Sequence, residues 1–232
     1  MKRFWKEAAT VEEQGGWGVQ LDGRTLRTPA RAALIVPTAK LAGAIADEWR
    51  DAPEEANPRE MPLTGLANAA IDRVAPDPAA FAAGIAKYSE GDLTCYRSEG
   101  PQQLASRQQQ SWDVLLGWAR RRFDVDFRIT CGLLHVPQPE ATVERLSHAV
   151  HALDVFQLAT LSPMVTISGS LVAALSVLEH AFTAESAWAA VSIDEQWQLE
   201  QWGSDAEAEL ALENRRKDFL VAARFLELLE QD

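Results

Sequence analysis

The sequence predicts an α+β fold, with a short antiparallel β region ahead of a longer run of helices. Three observations predict it. Period-two alternation and tight-turn dipeptides are confined to residues 1 to about 36. From Thr38 onward apolar residues recur instead at helical spacing, punctuated by caps and prolines. The 232-residue chain is 47% hydrophobic, enough to bury a sizeable core, and its length allows one large domain or two small ones.

The elements follow in order. Phe4 to Gln14 leads to a Gly15-Gly16 turn, and Trp17-Gly18-Val19-Gln20-Leu21 alternates as a strand. Asp22-Gly23 is a hairpin turn answered by Arg24-Thr25-Leu26-Arg27, and Leu34-Ile35-Val36 is a further short strand closed by Pro37. Thr38 to Arg50 is a helix with Leu41, Ala44, Ile45 and Trp49 on its apolar face, Trp49 being read as core. Leu63 to Val74 and Pro78 to Ser89 are the next helices, the second with Asp77 as cap and Pro78 in its first turn. After the Gly100-Pro101 break, Gln102 to Phe123 is a long helix carrying Leu104, Trp112, Leu115, Leu116 and Trp118. Val125 to Thr130 alternates like a strand and is assigned to the N-terminal sheet. Pro139 to Phe156 reads as one helix, and Pro163 to His180 as another capped by Ser162. Thr183 caps a short helix through Ala190. Ser192-Ile193-Asp194-Glu195 and Ser204-Asp205-Ala206-Glu207 both have the Ser-x-x-Glu form of a capping box. The last helix, to about Leu229, has Ala208, Leu212, Phe219, Ala222, Leu226 and Leu229 on its face. A domain boundary falls between Pro76 and Pro101.

Composition excludes several functions. The net charge of −12 opposes binding to nucleic acid or to anionic membranes, both of which require Lys and Arg. The apolar run Met164 to Leu178 is shorter than a membrane span and broken by Thr166, Ser168, Gly169, Ser170 and Ser176, so it reads as a buried helix. Two cysteines, Cys95 and Cys131, fit a reducing compartment better than a disulfide scaffold. The N-terminus has neither a signal h-region nor a transit segment, which suggests a bacterial cytoplasmic protein or one whose presequence is absent.

Catalytic motifs are missing. Gly15-Gly16-Trp17-Gly18 is the nearest approach to a phosphate loop, and a hairpin turn explains it better. His148, His151 and Asp154 read as a solvated helix face rather than a metal site, and neither cysteine lies in a C-x-x-C pattern. Ser168-Gly169-Ser170 lies inside an apolar helix, not on a nucleophile elbow. No enzyme, cofactor or metal is therefore expected.

The window Asp194 to Ala208 stands out, with Trp197, Trp202, several amides and a string of carboxylates. Aromatics beside polar groups are typical of protein-recognition surfaces. Trp188, Ser192, Glu195, Leu199 and Trp202 share one helical stripe, so Glu195 is either a capping carboxylate or one held at the rim of an apolar patch. Glu207 has the same two readings, and Trp202 is either core or contact.

Blocks along the whole chain resemble the assembly chaperone that binds the α subunit of the soluble catalytic sector of F-type ATP synthase. They are Arg3 to Ala8, Leu21 to Arg31, Met61-Pro62-Leu63-Thr64, Leu66-Ala67-Asn68, Ile71-Asp72-Arg73-Val74, Asp92-Leu93 with Tyr96-Arg97, Gln108 to Asp113, Gly169-Ser170-Leu171 and Asp194 to Ala208. The resemblance implies a small N-terminal α/β domain with antiparallel strands, here residues 1–90, and a larger mostly helical C-terminal domain, 91–232. It implies no catalysis and no cofactor. It implies shielding of an unassembled α-subunit interface until the β subunit arrives, in a bacterial cytoplasm or, after loss of a presequence, a mitochondrial matrix. The family's functional carboxylates map onto Glu195 and Glu207, although Ala206 departs from the more acidic pattern expected there. Glu195, Gln198, Trp202 and Glu207 form the candidate partner-binding set. The alternative is a non-enzymatic small-molecule-binding protein with a pocket between its two domains; a hydrolase on a helical fold ranks lowest.

Overall fold

The computed structural model describes residues 2–132, 134–203 and 205–230. The described chain is α+β and divides into two compact units. One comprises residues 2–78, 154–160 and 224–230, and the other comprises 79–153 and 161–223.

The first unit holds the sheet. β1 (Ala8–Glu13) and β2 (Gly16–Leu21) pair antiparallel from Ala8 opposite Leu21 to Glu13 opposite Gly16. Gly15 and Gly16 make the connection with positive φ, and a Cβ on Gly16 would lie 2.3 Å from the Val36 carbonyl oxygen. Only glycine allows that approach. Asp22 and Gly23, both at positive φ, form the predicted hairpin into β3 (Arg24–Thr25). The Asp22 carboxylate accepts from the backbone N–H groups of Lys6 and Glu7 at 3.0 and 2.9 Å, and the Glu7 and Lys6 bonds hold its pKa below the usual range. β4 (Ile35–Val36) pairs with β2 rather than β3.

Helix α1 (Ala39–Asp51) packs on β1 and β2 through Leu41, Ile45 and Trp49, and the Thr38 hydroxyl accepts from Leu41 N–H at its start. The Trp5 indole donates to the Trp49 carbonyl at 2.8 Å. α2 (Pro62–Ala69) has Met61 at its N-cap, which offers no side-chain acceptor. Glu48 of α1 supplies one instead, accepting from Leu63 N–H at 2.7 Å, Thr64 N–H at 2.9 Å and the Thr64 hydroxyl at 2.7 Å. A wider, π-type turn at Ala70–Val74 follows.

The second unit is mostly helical: α3 (Pro78–Ala86), α4 (Gln102–Phe123), α5 (Glu140–His151), α6 (Val155–Ser168), α7 (Leu171–Leu178), α8 (Ala184–Val191), α9 (Ile193–Trp202) and α10 (Ala206–Leu228). The ends of α6 and α10 at residues 155–160 and 224–228 belong to the first unit. α7 is the heart of the core: every side chain from Leu171 to Val177 is buried, and it packs on α4 and α8. Burying each of Leu171, Val172, Leu175 and Val177 is worth about 1.5–3 kcal/mol.

Four expectations are corrected here. The 125–130 segment does not join the N-terminal sheet: β6 (Thr130–Cys131) pairs in parallel with β5 (Tyr96–Arg97). The extended residues before it are satisfied by side chains. The Gln138 amide accepts from Arg128 N–H and donates to Arg128 C=O, both at 2.9 Å, as a neighbouring strand would. Residues 139–156 form two helices, because Asp154 caps α6 by accepting from Phe156 and Gln157 N–H at 2.8 and 2.9 Å. Pro163 does not open a helix but lies inside α6, where burial of Leu161, Met164 and Val165 outweighs the lost backbone bond. The helix break comes instead at Ser168-Gly169-Ser170, where Gly169 takes φ +70 and Ser170 caps α7.

Candidate functional site

The blocks from Asp92 onward that carried the resemblance converge in the second unit. Asp92 is fully buried, and its carboxylate accepts from Thr94 N–H and hydroxyl, the Ser170 hydroxyl and Val172 N–H, at 2.7–3.0 Å. It thereby ties the turn at Leu93–Cys95 to the start of α7. Burial pushes its pKa up against the pull of those four bonds.

Arg97 is the second anchor. It donates to the Gln108 carbonyl at 2.8 Å and to Asp113 at 2.6 Å, and its guanidinium lies 5.0 Å from the Trp112 ring centre. Burial lowers its pKa and Asp113 opposes that, but a guanidinium stays charged throughout. Trp112 donates to the Ala190 carbonyl at 2.7 Å, joining α4 to α8. The Gln108 amide accepts from Ser98 N–H and donates to Asp194, each at 2.7 Å. Asp194 is thus fixed at the start of α9, where burial raises its pKa, the Gln108 bond opposes the rise and neighbouring Glu195 adds to it. Arg107 pairs with Glu200 at 2.7 Å and covers the Trp197 ring at 4.8 Å.

The first capping box does not operate as the sequence suggested. The Ser192 hydroxyl donates to the Trp188 carbonyl and accepts from the Gln196 amide, both at 2.7 Å, and caps nothing. Glu195 is therefore free of that role and pairs with Arg215 of α10 at 2.7 Å. Ser204 lies outside the described residues; Asp205 accepts from Glu207 N–H at 3.0 Å at the head of α10. Glu207 is exposed in that first turn.

Trp202, the last residue of α9, is 80% exposed, so it is not core. The apolar face expected along α10 is likewise only half used. Phe219, Ala222 and Leu226 are buried, but Ala208 is exposed and Leu212 is part-exposed beside a cleft. Leu210 is 60% exposed.

Among the described residues, three sizeable open clefts flank α9, besides a smaller one beside Ile193 and Gln196. One of about 680 Å³ has Tyr96, Leu104, Asp194, Trp197, Gln198 and Trp202 among its walls. A second, of about 450 Å³, runs between α9 and α10, with Leu199, Trp202, Ala211 and Leu212 lining it and Glu195 and Arg215 at its edge. A third, of about 390 Å³, has Gly169, Trp188, Asp194 and Glu195 in its lining. Gln198 borders all three, and Trp202 stands between the first two. Glu195, Gln198 and Trp202 are therefore brought together, whereas Glu207 lines none of these clefts.

Sequence reading missed Asp92, Arg97, Gln108 and Arg215 as organisers of this region. Arg215 did carry a signal: it is the first Lys or Arg after Arg145. His151 and Asp154 perform local tasks, His151 contacting the Ser147 carbonyl and Asp154 capping α6. Among the described residues no group of His, Cys, Asp and Glu is arranged to hold a metal ion, and no helix is long and apolar enough to cross a membrane.

Open clefts, an exposed tryptophan and fixed carboxylates are features common on surfaces that recognise other macromolecules. Residues 2–120 match the family described as ATP12 chaperone protein, and the chain belongs to that family. The resemblance drawn from the sequence, to the ATP synthase assembly chaperones, is to this same family. The chain is similar to the crystal structure of Atp12 from Paracoccus denitrificans, with 41% identity and a TM-score of 0.94, covering 99% of this chain and 98% of that one. A proposed chaperone from Agrobacterium tumefaciens is 36% identical with a TM-score of 0.91, covering 99% of this chain and 86% of the other. The mitochondrial protein atp12 of Schizosaccharomyces pombe is 26% identical over 215 residues, 88% of this chain and 74% of that protein.

Proposed function

We propose that this chaperone binds the unassembled α subunit of F-type ATP synthase, keeps its apolar interface from aggregating and releases it to the β subunit. It does so without catalysis or cofactor. Glu195, Gln198, Trp202 and Glu207 meet the client. The observation that carries this reading is Trp202, a large ring left 80% exposed between two open clefts with carboxylates around it. An isolated ring subunit exposes an interface that its neighbour will later cover. A mixed aromatic and acidic face binds such an interface firmly enough to shield it and weakly enough to give it up. The protein works where α subunits await assembly, in a bacterial cytoplasm or a mitochondrial matrix.

The test is light scattering during refolding of purified α subunit, with and without the chain. Suppression at near-equimolar ratio, and recovery of a defined complex by gel filtration, is the expected result. Equal aggregation in both samples would refute it.

A further inference from the structure

We infer that the cleft between α9 and α10 seats one amphipathic helix of the client, with its apolar stripe inward and Lys or Arg on its flanks. This rests on the function proposed above and names the chemistry its surface selects.

The cleft has the form of a helix seat. From α9 come Glu195, Gln198, Leu199 and Trp202, and from α10 come Ala208, Ala211, Leu212 and Arg215. Both sets repeat at three- and four-residue intervals, so each helix presents one continuous face. The two faces make a trough whose floor is apolar: Leu199, Trp202, Ala208, Ala211 and Leu212. Within the chain this floor is largely uncovered, since Trp202 is 80% exposed and the α10 residues Ala208 and Ala211 are exposed. Ala208 and Ala211 lack bulk, which lets a third helix come close, and recognition by apolar anchors at such spacing is a common peptide-binding mode.

Charge selects the occupant. The charged residues lining the cleft are Glu195 and Asp205 against Arg215; Glu207 and Glu209 stand in the first turn of α10, and of that helix's other cations, Arg216, Lys217 and Arg224, Arg216 pairs with Glu213. The cation at the cleft edge, Arg215, is held by Glu195 at 2.7 Å, and Arg107 is held by Glu200 at 2.7 Å. An acidic segment would meet repulsion there and a basic one complementarity.

The probes are three labelled peptides with one Leu/Ala apolar stripe. One carries Lys flanks, one carries Glu flanks, and one carries the Lys flanks with a central proline. Fluorescence anisotropy with the full chain should show the Lys-flanked helix binding at least tenfold more tightly than either other peptide. Ala211→Trp, which fills the cleft at an exposed position, should lower that affinity at least tenfold and weaken suppression of α-subunit aggregation, with an unchanged circular-dichroism melt. Equal binding of the proline peptide would overturn the helical occupant, and equal binding of the Glu peptide would overturn the charge selection. If Ala211→Trp suppresses aggregation as well as the natural chain does, the cleft is not the client's seat and the inference fails while the chaperone reading stands. Failure of the natural chain itself to suppress aggregation would remove both.

Discussion

Arg215 reaches across from α10 to Glu195 on α9, its Nη2 2.7 Å from the carboxylate Oε1, and the pair stands at the edge of the α9–α10 cleft. The side chains are 42% and 39% exposed, so water screens the pair and its worth to stability is about 0–1 kcal/mol. Its consequence concerns the cleft more than the fold. Glu195 has no capping duty, and on the proposed function a client cation would have to displace Arg215 to reach it.

Glu195→Gln should therefore leave the melting temperature nearly unchanged. Gln keeps the shape of the side chain and loses its charge. If the carboxylate receives a client cation in a desolvated spot, the substitution should weaken α-subunit binding by roughly 2–5 kcal/mol. Arg215→Gln, which removes the competing cation, should not weaken binding. Calorimetric titration of both variants decides it: equal losses would mean that the ion pair merely braces the two helices.

Asp92 bears on stability. It is wholly buried, its four hydrogen-bond partners are neutral and its pKa is raised. A raised carboxylate pKa means that the folded state binds the proton more tightly than the unfolded chain. Its contribution is then largest below the unfolded value of about 3.9 and is lost as pH rises through the folded value. Asp92→Asn should remove this component and flatten the acid side of the stability profile. Asp92→Ala, which strands buried donors, should cost about 1–3 kcal/mol for each one left unsatisfied. Urea unfolding of the three proteins between pH 4 and 8 measures both. An unchanged profile in Asp92→Asn would contradict the assignment.

Glu48 should behave oppositely with respect to function. It caps α2 from α1 and lies in the first unit. Loss of a cap costs about 1–2 kcal/mol. Glu48→Ala is expected to unfold at lower urea while binding the α subunit as the natural chain does. Wild-type stability in this variant would show that Met61-Pro62 starts the helix unaided.

These residues also show how far the sequence could be read. The β1–β2–β3 meander was legible because Gly15-Gly16 and Asp22-Gly23 are local turn signals. The Thr183 cap and the long α4 were legible for the same reason. The Ser192 box failed because a serine hydroxyl has a competing acceptor one helical turn back, here the Trp188 carbonyl. Strand alternation at 125–130 misled because Gln138 imitates a partner strand. Pro163 misled because tertiary burial overrode its helix-breaking tendency. The candidate surface was half visible. Trp202 and Glu195 could be picked from composition and spacing, but Arg97, Gln108 and Asp92 act through partners as far as 86 residues away, which no local pattern reveals.

The net charge of −12 yields a kinetic prediction. Rim charges act chiefly on the rate of encounter and its salt dependence. Stopped-flow association with the α subunit should slow markedly between low salt and about 0.5 M, where the Debye length falls to a few ångströms, while dissociation changes little. A salt-independent association rate would confine the charge to a role in solubility.

The two cysteines should separate cleanly in a thiol-labelling experiment. Cys131 is exposed on β6. Cys95 is wholly buried, and its thiol is pushed up to about 12, by burial first and by Asp92 second, against a smaller pull from Arg97. The thiolate is the reactive species, so near pH 8 Cys95 is both shielded and protonated. A disulfide reagent should modify one thiol per native chain within minutes and the second only as the chain unfolds. Cys131→Ser should abolish the fast phase, and the rate of the slow phase should rise with denaturant in step with unfolding. Rapid native labelling of Cys95 would mean that the Leu93–Cys95 turn opens on its own, and the tie from Asp92 to Ser170 and Val172 would then be too weak to hold that turn against the start of α7.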